Sequence, residues 1–295
     1  MGIWYAFAQA ITWAGVTIAL RRLTAQLPAL LINGIRAALA LLILVPLVFV
    51  TGGWGDFGLL TPLRLVYLIG SVLVGGLVGD VFYLTSLRLI GVGRAFPISN
   101  SYPFFTMLFS ALLLGTAVTW KMAAGMMLVL AGVFMVARPN VAAQPGATPD
   151  VSTTDLVKGG LCALAGAALW GFATIVLAQG LSDGINSVVA TLVRVVAVAT
   201  FSLLISLPRG LVGDLRRTTR RTWGLLLIAG VFGWGLGGSL YAAAVQHAGP
   251  SLAALIGATS PIFAMPLSWA LLKERPTRYT LAGTLVTIVG IALVV

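Results

Sequence analysis

LVYLIGSVLVGGLVGDVFYLTSL (65–87) carries one charged side chain, Asp80, in 23 residues. A helix of about 20 apolar residues crosses the roughly 30 Å hydrocarbon core of a bilayer, so this stretch reads as a membrane span with a carboxylate inside it. Composition extends that reading to the whole chain. Of 295 residues, 59% are apolar and 8% charged, and the mean hydropathy is +1.05. Soluble domains carry about a quarter charged residues. A chain of this size has too little polar surface to cover so much hydrocarbon in water. The fold class that follows is an all-α integral membrane protein.

Ten such spans are expected, at about 3–20, 29–50, 65–87, 93–114, 121–138, 159–180, 187–207, 223–246, 251–272 and 279–295. Short loops take up the remainder, leaving no room for a soluble catalytic domain. The first span begins without a basic leader or an Ala-x-Ala cleavage site, so it is expected to be retained. A single cysteine, Cys162, excludes an internal disulfide framework.

The net charge of +11 is unevenly distributed: 14 Lys/Arg fall in or at the edges of loops after odd-numbered spans and two, Arg64 and Lys121, in or at the edges of loops after even-numbered ones. That asymmetry is the positive-inside signal of a multi-pass protein in the cell (inner) membrane. It places RRTTRR (216–221) beside anionic cytoplasmic lipid and both termini outside. The expected partners are therefore a lipid bilayer and a small-molecule substrate, with no nucleic acid. Ten spans suffice for a monomer, and a dimer is possible.

The chain is also written twice. Shifted by 158 positions, Arg36 falls on Arg194, Gly75 on Gly233, Gly79 on Gly237, Tyr83 on Tyr241 and Pro103 on Pro261. Gly125 and Gly132 meet Gly283 and Gly290 at the same shift, and a shift of 157 pairs Trp13 with Trp170 and Thr17 with Thr174. The organisation expected is a first five-helix repeat (1–138), a Pro/Ala/Thr-rich linker (139–158) and a second five-helix repeat (159–295). An odd number of spans per repeat inserts the second upside down. Inverted repeats give two shapes of similar energy, one open to each side, which is the basis of alternating access.

Trp13 and Trp170 in spans 1 and 6, Arg36 and Arg194 early in spans 2 and 7, prolines in spans 4 and 9, and LLKERPTRYTLAGTLVTIVGIALV (271–294) together resemble the drug/metabolite transporter superfamily, of the EamA type. The resemblance covers essentially the whole chain. It implies a ten-helix carrier with a central cavity that moves small metabolites, often outward. Two features depart from the family pattern. Gly115-Thr116 stands where the first half would carry Gly-Glu, leaving Glu274 as the only such acid. The family's commoner orientation also keeps both termini inside, opposite to the charge count.

The polar residues within spans are the candidate substrate-binding residues. A mid-bilayer Asp costs about 2.5–3.5 kcal/mol and must face protein or water. Asp80 therefore reads either as a proton-coupling or amine-binding group, or as a structural partner of Arg36 or Arg94. Arg36 and Arg194 read as interfacial side chains snorkelling from shallow positions, or as contacts for a substrate carboxylate or phosphate. Gln9, Trp13 and Thr17 recur at i, i+4, i+8 on span 1, and Trp170 and Thr174 repeat that face on span 6. Tyr83 and Tyr241 form a second symmetric pair. Ser99, Asn100, Tyr102, Thr259 and Ser260 sit beside Pro97, Pro103 and Pro261, which are expected to bow spans 4 and 9 around a cavity. Gly75/Gly79 and Gly233/Gly237 read as close-packing pairs.

There is no metal-ligand cluster, phosphate loop or catalytic dyad in the sequence, so no cofactor, no metal and no enzymatic role are expected. The leading function is a secondary active transporter of amino-acid-like or amphipathic solutes, working outward. Alternatives are a carrier or flippase of lipid-linked or nucleotide-sugar cargo, a non-transporting membrane subunit or receptor, and an intramembrane hydrolase using His247 and a serine.

Overall fold

A computed structural model describes residues 1–136, 152–210, 213, 218–260, 262–263 and 278–294, and every regular element among them is helical. Helix α1 is Gly2–Leu23 and α2 is Ala29–Val50. After a 3-10 segment (Gly53–Leu59), α3 runs Pro62–Ile90 and passes through a π-helical turn at Leu73–Gly79. The fourth span is in two pieces, α4a (Val92–Ser99) and α4b (Tyr102–Leu114), and α5 is Trp120–Val136. The second half supplies α6 (Thr153–Gly180), α7 (Ser187–Ser206), α8 (Arg220–Ala248, with a π-turn at Ala229–Gly237), α9 (Pro250–Gly257) and α10 (Arg278–Val294). Five of these, α2, α3, α6, α7 and α8, are long and apolar enough to cross a membrane, while α4b and α10 are shorter apolar helices. The expected linker, Glu274, and most of the expected ninth span lie outside the described residues.

Local chemistry sets the ends of these helices. Thr61, Ser152, Asn186 and Thr219 accept a backbone N–H from the first turns of α3, α6, α7 and α8, which satisfies one of the orphan donors of a helix start. Gly91 and Gly249 close α3 and α8 at φ 72° and 82°, a conformation open to glycine because it has no Cβ.

The fourth span departs from the expected proline bow. It breaks at Asn100–Ser101, where Asn100 Nδ2 donates to the Phe96 carbonyl (2.9 Å) and Ser101 Oγ to that of Ile98 (2.7 Å). Pro103 then sits in the first turn of α4b, where a missing N–H removes no helical hydrogen bond. The second half repeats the device: Thr259 Oγ1 donates to the Ile256 carbonyl (2.6 Å) just after α9. Pro261 and the side chain of Pro97 lie outside the described residues.

Two pairs of helices at equivalent positions of the two halves, α5–α10 and α2–α7, pack on each other in antiparallel fashion. In the α5–α10 pair a Cβ on Gly132 would stand 2.5 Å from the Gly283 carbonyl oxygen, and one on Gly290 would stand 2.8 Å from that of Gly125. Such backbone contact needs glycine on both sides. Gly34 abuts Leu203 while Gly53 abuts Val189, so α2 and α7 also run antiparallel. Between them, α3 packs along α6 and α8 along α1, and α4b meets α9. The helical segments Asp80–Ile90 and Val92–Ser99 recur as Gly238–Ala248 and Pro250–Gly257 at the same shift of 158. Leu42, Phe49, Val66, Leu112, Met127 and Leu285 point outward and are exposed, an apolar surface suited to lipid rather than water.

Candidate functional site

A cavity of about 160 Å³ lies at the centre of the bundle. An engineered apolar cavity of about 150 Å³ holds benzene, which sets the scale of a ligand body that fits without rearrangement. The walls come from α1, α3, α4a, α4b, α6, α7, α8 and α9.

The glycines of α3 and α8 shape it. Gly75 and Gly79 let α3 lie against Ala173 and Trp170 of α6, and Gly76 leaves room for the Trp234 ring from α8. These residues fall inside the π-turns, which the sequence pattern did not announce. A π-turn inserts one residue into the helical ladder and is frequent at functional sites.

On one side of the cavity the charges are already satisfied. Asp80 Oδ2 accepts from Arg36 Nη2 in a buried ion pair, and Asp80 Oδ1 accepts from Trp170 Nε1 (2.9 Å). Arg36 also donates to Asn33 Oδ1 through Nε (3.0 Å) and Nη2 (2.6 Å), and Asn33 Nδ2 donates to the Gly76 carbonyl in the π-turn (2.9 Å). The guanidinium lies 5.4 Å from the centre of the Trp234 ring, a cation–π distance. Arg36 is 1% exposed and turned inward. It does not snorkel toward an interface, because its carboxylate partner lies within the bundle.

On the other side stands Arg194, which is 8% exposed and lines the cavity. Its Nε donates to Ser71 Oγ (3.1 Å). Unlike Arg36 and Arg64, whose acid partners are Asp80 and Asp183, it has no carboxylate partner among the described residues. The sequence offered it as a possible anion contact without separating that role from snorkelling. Its inward turn removes the snorkelling reading.

Gln9 and Trp13 line the cavity from α1, Asp80 and Tyr83 from α3, and Trp170 and Thr174 from α6. Ser99, Asn100 and Tyr102 reach it from the two pieces of the fourth span, and Tyr241 reaches it from α8. Tyr241 and Thr174 share a 2.8 Å hydroxyl contact, and Tyr102 donates to the Ala254 carbonyl (3.0 Å). Tyr83 and Tyr102 pack on Trp170 with ring centres 5.0 and 6.1 Å away.

Thr17, Thr259 and Ser260 are not among the lining residues. Eight positions along a helix turn Thr17 about 80° away from Gln9, and its hydroxyl bonds its own Trp13 carbonyl (2.9 Å). Thr259 spends its hydroxyl on the break after α9, and Ser260 is buried there. Ser71, Phe96 and Trp234 were not anticipated. Trp234 alone had a signal, a tryptophan standing where the first half has Gly76. His247 bonds the Ala243 carbonyl through Nδ1 (2.9 Å) and meets the Tyr5 ring edge-on, at a helix end.

A solved structure titled "Crystal structure of protein" matches with a TM-score of 0.77 at 18% identity, over 99% of this chain and 96% of that one. At that identity the likeness concerns the fold. No curated protein matches the chain. The model of the EamA-like transporter family matches residues 1–138 and again 157–295, once in each half. The chain therefore belongs to the EamA-like transporter family, a family of multi-pass membrane transporters of the drug/metabolite type.

Proposed function

We propose that this chain is a secondary transporter that moves a small amphipathic solute outward by alternating access of two inverted halves, 1–138 and 159–295. The observation that carries this reading is the central cavity, whose aromatic, hydroxyl and amide groups come from both halves. The antiparallel packing of α5 on α10 and α2 on α7 supports the inversion, since equivalent helices then run in opposite directions through one membrane. The broken fourth span and the two π-turns border the cavity. Irregular backbone at membrane depth is tolerated where protein or a wet cavity covers it. Rocking of one half against the other would then expose the same residues to each side in turn.

Counterflow in liposomes containing only this protein tests the reading. Vesicles loaded with a binding solute should accumulate the labelled form above empty-vesicle controls. A Cβ on Gly257 would stand 3.0 Å from Gln9 Oε1 and 2.7 Å from the Tyr102 hydroxyl, so Gly257→Leu should fill the cavity and abolish accumulation. Specific binding with no exchange of any bound solute would favour the non-transporting receptor reading.

A further inference from the structure

We infer that Arg194 docks a carboxylate of the transported solute, in the place that Asp80 occupies against Arg36 in the other half. This rests on reading the cavity as the solute site. The shift of 158 that maps Arg36 onto Arg194 also maps Asn33 onto Thr191, Gly76 onto Trp234 and Asp80 onto Gly238. Around Arg36 the guanidinium donates to the Asn33 amide oxygen and the Asp80 carboxylate, and the indole of Trp170, from the other half, donates to that same carboxylate. In the second half the acid is missing. Thr191 bonds its own helix at the Ser187 carbonyl (2.7 Å), and Gly238 has no side chain. An indole is present again: Trp13 pairs with Trp170 at a shift of 157, lines the cavity, and makes no side-chain hydrogen bond among the described residues.

The second half keeps the arginine, Arg194, while the match to Asp80 is Gly238. Ser71 holds its Nε, and neither terminal nitrogen makes a hydrogen bond among the described residues. Two parallel donors on a planar fork match the two oxygens of a carboxylate. A buried cation without a counter-charge is costly, and a ligand anion removes that cost on binding. The Asp80 charge is balanced by Arg36, so among the described lining residues Arg194 leaves one unbalanced positive charge. An ammonium finds no free carboxylate among the described lining residues. The cavity therefore selects a monocarboxylate with a small apolar or aromatic body, over an amine and over an uncharged analogue of the same shape.

Benzoate, benzamide and benzylamine share a ring of suitable size and differ in charge. Titration calorimetry on the purified full-length protein in detergent compares them. Benzoate should bind at least about tenfold more tightly than the other two, since truncating a desolvated ion pair costs more than that factor. Arg194→Gln should lose the preference and Arg194→Lys should retain part of it. Gly238→Asp supplies the missing internal acid without removing a side chain and should also lose benzoate binding. Gly238→Ala, whose Cβ meets only Thr191 Cγ2 at 3.1 Å and the Gly233 carbonyl oxygen at 3.9 Å, should keep it. Benzamide or benzylamine binding as tightly as benzoate, or Gly238→Asp binding benzoate like the parent protein, would overturn the proposal. Benzoate bound through Arg194 without counterflow would leave the carboxylate site standing and remove transport. Counterflow of uncharged solutes unaffected by Arg194→Gln would do the reverse.

Discussion

Asp80 and Arg36 form the ion pair whose disruption is most informative. Asp80→Ala leaves a guanidinium that is 1% exposed with Asn33 as its remaining hydrogen-bond partner, and Nη1 has none among the described residues already. Removing one member of a buried pair costs about 3–5 kcal/mol, mostly from the uncompensated charge left behind. Trp170 Nε1 also loses its acceptor, and a typical hydrogen bond contributes about 1 kcal/mol net. Asp80→Asn keeps an acceptor for that indole and should be about 1 kcal/mol less damaging than Asp80→Ala. The double variant Arg36→Met/Asp80→Asn removes both charges and should be more stable than either single charge deletion, because no lone charge stays buried. Equilibrium unfolding in mixed detergent–SDS micelles, followed by tryptophan fluorescence, gives the three free energies and their coupling. Asp80→Ala within about 0.5 kcal/mol of the parent, or a double variant weaker than both singles, would refute the buried-strut reasoning.

Three further outcomes follow from local geometry. Arg64 is buried and donates to the Leu59 and Ser182 carbonyls (2.6 and 2.9 Å) as well as to Asp183, whose side chain is 82% exposed. Arg64→Ala should cost about 2 kcal/mol and Asp183→Asn less than about 1 kcal/mol in the same unfolding assay, and equal costs would contradict the assignment. A Cβ on Gly290 would stand 2.8 Å from both the Gly125 carbonyl oxygen and the Val129 nitrogen. Gly290→Val should then force α5 and α10 apart at about 1–3 kcal/mol or more, read as a lowered midpoint; an unchanged midpoint would mean the helices do not meet backbone to backbone. The charge asymmetry of the loops predicts topology. In a Cys162→Ser background, Gly58→Cys in the exposed loop before α3 should be labelled by an impermeant maleimide on intact cells, and Ala25→Cys after α1 only after lysis. The opposite pattern would put both termini inside.

Several features were legible without coordinates because they are local or repeated. Length and hydropathy alone mark a segment such as α2 or α7 as a span, since an isolated helix in hydrocarbon must satisfy its own backbone. The matches at a shift of 158 follow from copying, and the boundaries of Asp80–Ile90 and Gly238–Ala248 keep that register. The i, i+4 spacing of Gln9 and Trp13 turns both to the cavity, whereas extrapolating to Thr17 fails because helical rotation accumulates. The prolines mark the fourth span as irregular, but do not reveal that the irregularity takes the form of a break at Asn100–Ser101, just before Pro103. Side chains that bond carbonyls one turn back offer the backbone an alternative to the helix, and sequence periodicity is blind to that choice.

Residue order along the chain is enough to establish a membrane-embedded helical protein, written twice, with an aspartate and two arginines inside its spans. Which arginine meets the aspartate is set by packing. Arg36 and Asp80 are 44 positions apart on different helices, and their contact depends on how α2 and α3 pack rather than on any pattern along either one. The same packing turns Arg194 toward the cavity with no acid beside it among the described residues. A charge inside a membrane span must find a partner, but the sequence does not say whether that partner is another residue or the cargo.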